Sequence, residues 1–222
     1  MIKNHYPLHL INDQGVKFSR SGGVGLDREQ VVAAGLEVLD DIGLDALTMR
    51  KVADHLGVQL NTVYWHAASK PALLAAMADL MLAGCADEPL PQQWRDRLRE
   101  LAHRYRNAML AHRDGARVVA GTFPVESRTL ELGDAFVSTL LAGGIEPRTA
   151  AWSAWAIAYY TMGITQEQQA YHALGRPVRL ADAVSPDRYP ALAQVAEFFG
   201  AGDFDQRFDF GLDLLIANLR QR

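Results

Sequence analysis

The chain has a single cysteine, Cys85, in 222 residues, so no internal disulfide can staple it. No cysteine and histidine stand at zinc-ligand spacing, so no metal is expected. No apolar run approaches the roughly 18 residues that a membrane helix needs. The opening MIKNHYPLHLINDQG interrupts its apolar positions with Lys3, Asn4, His5 and Pro7, which fits neither a span nor a signal peptide. A reducing cytoplasm is the expected compartment. There is no Gly-x-Ser-x-Gly and no glycine-rich phosphate cradle. His103, His112, Asp114 and Glu126 are residue types that move protons, yet no spacing puts them on one face, so an enzyme is not expected and no cofactor is implied. Basic excess is missing too, since the formal net charge is -4.

What is present is apolar content of 49%, enough for a sizeable helical core in a chain longer than one average domain. The most informative stretch is residues 48–66, TMRKVADHLGVQLNTVYWH. Thr48 is an N-cap type, and Met49, Val52, Ala53 and Leu56 make one apolar stripe. Gly57 can take the left-handed backbone that turns the chain sharply, and Val58 plugs the corner. In the next helix Val63 points inward. Leu60, Asn61, Thr62, Tyr64, Trp65 and His66 share the remaining faces, too many hydrogen-bonding and flat groups for a core helix. This is a helix-turn-helix pattern, which implies double-stranded DNA as partner.

The flanks complete a small domain over 26–70. Leu26 to Gly43 reads as an amphipathic helix with Asp27 and Gln30 as a capping box, and Ser69-Lys70-Pro71 opens a connector helix over about 71–84. Residues 24–84 carry four basic groups (Arg28, Arg50, Lys51, Lys70) against eight acidic ones, so nonspecific DNA affinity should be weak. Asn61 suits adenine and Thr62 a thymine methyl. Tyr64, Trp65, His66 and Lys70 suit phosphates, and Arg50 either guanine or phosphate. Packing of Trp65 against the connector is the competing reading. Residues 1–25, with Lys3, Lys17 and Arg20 against Asp13, read as a flexible extension or as a basic arm on DNA.

The segments GLDALTMRKVADHLGV, NTVYWHAASKPALL, AMLAHRDGARVVAGTFP and FDFGLDLLIANL resemble the tetracycline-repressor (TetR) family, and its tetracycline repressors in particular. The likeness covers roughly residues 26–171 and 196–220; residues 1–25 have no counterpart. It implies an all-α chain with an N-terminal three-helix helix-turn-helix domain and a larger helical domain, 71–222, for ligand binding and dimerisation. It also implies a repressor that binds a palindromic operator as a homodimer and is released by a small-molecule inducer. Arg50, Leu60, Asn61, Thr62, Tyr64, Trp65, His66 and Lys70 fall on operator-facing positions. Leu60 and Asn61 replace glutamine and proline of those repressors, so a different operator is expected.

For the ligand, the resemblance implies Tyr105, Thr122, Phe123, Pro124, Ala151, Ala154 and Glu167, with Met109 and Trp155 added from the same helices. The departures are Ala86, Leu101 and Val119, where tetracycline repressors have a histidine, an asparagine and a metal-binding histidine. Phe123 also replaces an arginine. Side chains without oxygen or imidazole cannot hold magnesium, so metal-chelated tetracycline is not the expected inducer; a neutral, largely apolar or aromatic molecule is.

Dimerisation is expected through two helices. Phe204, Phe208, Leu212, Leu215 and Leu219, widened by Phe210, Gly211, Leu214 and Ile216, read as a helix buried nearly all round. Thr149 to Gln169 carries Trp152, Trp155, Tyr159, Tyr160 and Met162. Helices are also expected at 94–112 and 125–141. Residues 172–190, with three prolines and a glycine, read as a loop that either gates the ligand site or merely connects. An adaptor without DNA binding is the alternative function.

Overall fold

The computed structural model describes residues 26–122, 125–175, 180–199 and 204–219. The extension 1–25 and the candidate ligand residues Phe123 and Pro124 lie outside them. Among the described residues there are ten α-helices and no strand, in agreement with the expected all-α class, although the two short helices at Gly115–Ala120 and Pro190–Val195 are not among the expected elements.

The first four helices are α1 (Arg28–Ile42), α2 (Met49–Leu56), α3 (Leu60–His66) and α4 (Lys70–Met81). Local chemistry sets their ends. The Asp27 carboxylate accepts from the Gln30 amide at 2.8 Å, and the Gln30 side chain accepts from the Asp27 amide at 2.9 Å. Thr48 caps α2 through the Lys51 amide, and Ser69 caps α4 through the Ala72 amide, both at 3.2 Å. Gly57 sits at φ 67°, ψ 31°, the left-handed corner between α2 and α3. Each cap is worth about 1 kcal/mol, whereas each fully buried aliphatic side chain contributes about 1.5–3 kcal/mol. Packing therefore dominates: Val31, Leu39, Leu47, Val52, Val63, Leu73 and Met77 are all 0% exposed. The α1–α4 contact is tight, since a Cβ at Gly35 would stand 2.9 Å from the Met77 sulfur.

The remaining helices are α5 (Trp94–Leu110), α6 (Gly115–Ala120), α7 (Ser127–Ala142), α8 (Pro147–Ala173), α9 (Pro190–Val195) and α10 (Phe204–Ala217). Helix α5 packs on α6, α7 and α8, while α4 packs on α1, α6 and α7 and so belongs to both ends of the molecule. One apolar cluster runs from Val31 to Leu219 without a break.

Helix α8 is longer than the expected 149–169. Pro147 occupies its first turn, where no amide donor is needed, and Glu146 accepts from the Arg148 and Thr149 amides at 3.1 Å. Its polar end, Gln166 to Ala173, stays helical because Gln168 and Gln169 bond to neighbouring helices. The expected loop at 172–190 is partly helical: His172 and Ala173 end α8, and Leu180–Ala183 is a 3-10 turn.

Burial of α10 all round is corrected. Phe204, Phe208, Leu212 and Ile216 recur every four residues and face inward, but Phe210 is 68% and Leu214 52% exposed. A helix flanked on one side only by its own chain cannot bury both stripes. Arg106 is a charged group inside this region, 3% exposed, bonded to Gln168 at 2.6 Å and Asp205 at 2.7 Å, and lying over the Phe208 ring. Its Nε has no partner.

Candidate DNA-reading face and ligand cavity

Helix α3 is anchored by one side chain and displays the rest. Val63 is fully buried, while Asn61, Tyr64 and Trp65 are exposed and Leu60, Thr62 and His66 are half-buried. Trp65 is 87% exposed, so the alternative that it packs against the connector helix is overturned. On this seven-residue helix a single buried position leaves the others at least partly in solvent. Arg50 and Lys51 on α2 are exposed beside it. Lys70 is less free than expected, since its Nζ donates to the Leu44 carbonyl at 3.4 Å.

The acidic balance of the first four helices has a structural cause. Four of the eight carboxylates in this region are bonded to the α5–α7 side, while Asp27 caps its own helix and Glu37 pairs with His55 at 2.7 Å. Asp40 accepts from the Arg113 amide at 2.9 Å and pairs with His112 Nδ1 at 2.9 Å. Asp45 pairs with Arg117 at 2.7 Å, which holds its carboxyl below the usual carboxylate range. Glu29 meets Arg128 at 3.3 Å, and Asp79 accepts from the Thr129 amide at 2.9 Å. In return Asp114 accepts from the Leu44 amide at 2.9 Å. Asp114 is itself left-handed at φ 57°, a conformation that Asp tolerates better than most residues. The turn from His112 to Gly115 is thus latched to the α1–α2 corner.

The same turn is held from behind by one side chain of α8. Gln169 accepts from the Ala116 amide at 3.1 Å and donates to the carbonyls of Met109 at 2.9 Å and His112 at 2.8 Å. No sequence signal singles out this glutamine.

Beside the latch is a cavity of about 710 Å³, within the range of small-molecule sites. Tyr105, Thr122, Ala151, Ala154 and Trp155, all expected, line it. Met109 does not: it is 0% exposed, a core residue one helical turn further along α5. Glu167 does not either, because it lies by a separate surface hollow and pairs with Arg207 at 3.0 Å. Of the three positions where a metal-liganding set is replaced, only Val119 reaches the cavity; Leu101 is buried in the core and Ala86 lies away from it. The lining that sequence reasoning missed comes mainly from α7, including Thr129, Asp134 and Phe136. Their spacing of two to five residues along one helix is compatible with a shared wall, but nothing in it distinguishes a cavity wall from core.

The cavity's polar groups are few and already partly committed. Thr122 donates to the Val119 carbonyl at 3.0 Å, and Thr129 donates to Asp79 at 3.2 Å. Tyr105 is 6% exposed, and its hydroxyl bonds to no described residue. Burial raises its pKa, so it remains a neutral donor. Among the described lining residues there is no lysine, arginine or histidine.

The four proton-carrying residues considered for catalysis sit in separate pairs. His103 pairs with Asp209, His112 with Asp40, Asp114 with Arg117, and Glu126 with Arg28, in separate ion pairs. Across α8 and α10 an aromatic stripe is left exposed: Trp152 at 62%, Tyr159 at 59% and Phe210 at 68%. Such a patch on a water-facing surface marks an association site.

Two family profiles match the chain: "Bacterial regulatory proteins, tetR family" over residues 31–77, and "Tetracyclin repressor-like, C-terminal domain" over residues 88–222. The tetracycline repressor protein class G of Vibrio anguillarum is 38% identical over 207 residues, covering 88% of this chain and 94% of the relative. A solved structure of a possible TetR family transcriptional regulator from Streptomyces coelicolor A3(2) superposes with a TM-score of 0.80 at 38% identity, covering 86% of this chain and 97% of that one. ActR of Streptomyces coelicolor, solved in complex with actinorhodin, gives a TM-score of 0.77 at 26% identity, covering 88% of this chain and 95% of that one.

Proposed function

Because the chain belongs to the tetracycline-repressor family of bacterial regulatory proteins, we propose that it is a transcriptional repressor that binds a palindromic operator as a homodimer and leaves it when a small molecule fills the cavity. Residues 26–70 serve as the reading head and 71–222 hold the ligand and the dimer contact. The observation that carries this reading is α3: Val63 fixes it to the core while Asn61, Tyr64 and Trp65 stand in solvent. Asn61 and Thr62 read base edges; Tyr64, Trp65 and His66 hold phosphates, with Arg50 beside them. Lys70 reaches a phosphate only by giving up its bond to Leu44.

Two turns of helix bury too little surface for tight specific binding, so two heads about one DNA turn apart are required. The exposed stripe of Trp152, Tyr159, Phe210 and Leu214 supplies the contact between copies. Ligand and DNA are linked by the latch, since the turn bonded to Asp40 and Leu44 leads into α6, whose Arg117 pairs with Asp45 and whose Val119 lines the cavity. To move the population from 1:99 to 99:1, the ligand must prefer the released state about 10⁴-fold. The replaced metal-ligand positions support an apolar, aromatic inducer rather than a magnesium chelate.

A DNA-bound role places the chain in the cytoplasm, and no described helix is long and apolar enough to cross a membrane. Catalysis forms no part of this reading. The adaptor alternative drew support from the acidic N-terminal helices, but Glu29, Asp40 and Asp45 are engaged within the chain. The test is an electrophoretic shift with the promoter DNA adjacent to its own gene: retardation by a dimer is expected, and failure to retard any of that DNA refutes the repressor reading.

A further inference from the structure

We propose that the cavity selects aromatic ligands bearing a protonated amine, with Asp134 as the counter-charge at its rim and Tyr105 as the hydrogen-bond donor at its buried end. This deepens the reading of the cavity as the inducer site and rests on it.

The argument is an inventory of what the walls can offer. Their surface is overwhelmingly apolar, with Phe136, Trp155 and Tyr159 supplying aromatic faces. Trp155 and Tyr159 stack on each other with centroids 5.3 Å apart. A flat ring system is what such walls hold best. Among the polar groups, Thr122 and Thr129 have spent their only hydroxyl protons on Val119 and Asp79. They can only accept. Tyr105 is the reverse case: 94% of its surface is buried within the fold (6% exposed), its hydroxyl has no partner among the described residues, and it still has a proton to give. A ligand carbonyl or ether oxygen at that end satisfies it.

Asp134 is the charged group of the lining, it is exposed on α7, and no described residue pairs with it. Every other carboxylate near the cavity is engaged, Asp79 by Thr129 and Asp114 by Leu44 and Arg117. An anionic ligand would meet no cationic side chain among the described lining residues to replace its lost water, and would lie next to a carboxylate that repels it. A cation gains both the Asp134 carboxylate and the indole and phenol faces of the rim. The charge preference therefore runs one way.

Three probes with one ring system separate the possibilities: 9-(aminomethyl)anthracene, 9-anthracenemethanol and 9-anthracenecarboxylate, which are cationic, neutral and anionic at pH 7. Binding is measured by fluorescence titration against the full chain without DNA. The amine is expected to bind about tenfold more tightly than the alcohol, and the carboxylate more weakly than either. Asp134→Asn, on an exposed position that folding tolerates, should remove the amine's advantage and leave the alcohol unchanged. Tyr105→Phe keeps the buried ring and removes only the hydroxyl, which bonds to no described residue, so it should weaken a carbonyl-bearing probe, 9-anthraldehyde, and leave anthracene itself unaffected. Equal binding of all three charge forms, or an amine affinity indifferent to Asp134→Asn, overturns the proposal while leaving the cavity a ligand site. Binding of none of them overturns the cavity reading as well, and neither outcome depends on whether the chain binds DNA.

Discussion

Replacing Trp65 with alanine separates a DNA-contacting residue from a structural one. The indole is 87% exposed on α3, and its removal leaves no hole in the core. Exposed substitutions of this kind change stability by no more than about 0.5 kcal/mol, which for a chain of this size moves the melting midpoint by less than about 2 °C. The operator complex should respond quite differently. One lost hydrogen bond or packed contact is worth about 1–1.5 kcal/mol net. A symmetric dimer carries the substitution twice, so the complex loses about 2–3 kcal/mol, or about 30- to 160-fold in Kd. Fluorescence anisotropy with a labelled palindromic duplex measures the affinity, and circular dichroism measures the melt. A mixed dimer with one wild-type subunit should show about the square root of the loss. An unchanged Kd with an intact melt, or a melt lowered by several degrees, would refute the placement of Trp65 against DNA.

Other substitutions test the rest of the molecule. Asp205→Ala should cost more stability in urea than Arg106→Met, roughly 2–4 against 0–2 kcal/mol, because the first strands a buried guanidinium and the second removes its desolvation burden. The opposite ranking would mean that Gln168 alone satisfies Arg106. Asp114→Ala leaves the half-buried Leu44 amide without its acceptor and puts alanine at φ 57°, so a loss of about 1–3 kcal/mol is expected; hydrogen exchange at the Leu44 amide should quicken most. Burial pushes the Cys85 thiol from 9.0 up to about 11. The folded state thus keeps a proton that the unfolded state loses, and this stabilisation is complete below about pH 9 and gone as pH passes about 11. The stability difference between wild type and Cys85→Ala should shrink across that window, and iodoacetamide should label the folded chain slowly at pH 8.

The helices were legible wherever pattern and cap coincide. Asp27 with Gln30, Thr48, Gly57 and Ser69 with Pro71 each mark a boundary through a bond that forms within four residues, and such chemistry is written locally. The exposed face of α3 was legible for the same reason, since a two-turn helix with one apolar anchor at Val63 has few faces to assign. Partners far apart in sequence were not. Glu167 has the residue type of a ligand contact, and only the position of Arg207 on another helix decides that it is a surface ion pair. Met109 and Tyr105 share a stripe four residues apart, yet one is core and the other lines a cavity, because the wall ends between them. The acidic N-terminal helices looked unfavourable for DNA, and only the structure shows that Asp40, Asp45 and Glu29 are bonded to residues far along the chain.

On the function proposed above, Gln169 would turn a graded displacement of α8 into a stepped release of the turn it holds. Its one carboxamide grips three backbone groups of a single turn, and all three lie within a hydrogen bond's reach only at one setting of α8. Side-chain packing can yield by tenths of an ångström, but a slide of α8 by a single residue's rise, about 1.5 Å, would release the three together. The clutch between the helix that walls the cavity and the corner that carries the reading head is then either engaged or free, with little in between.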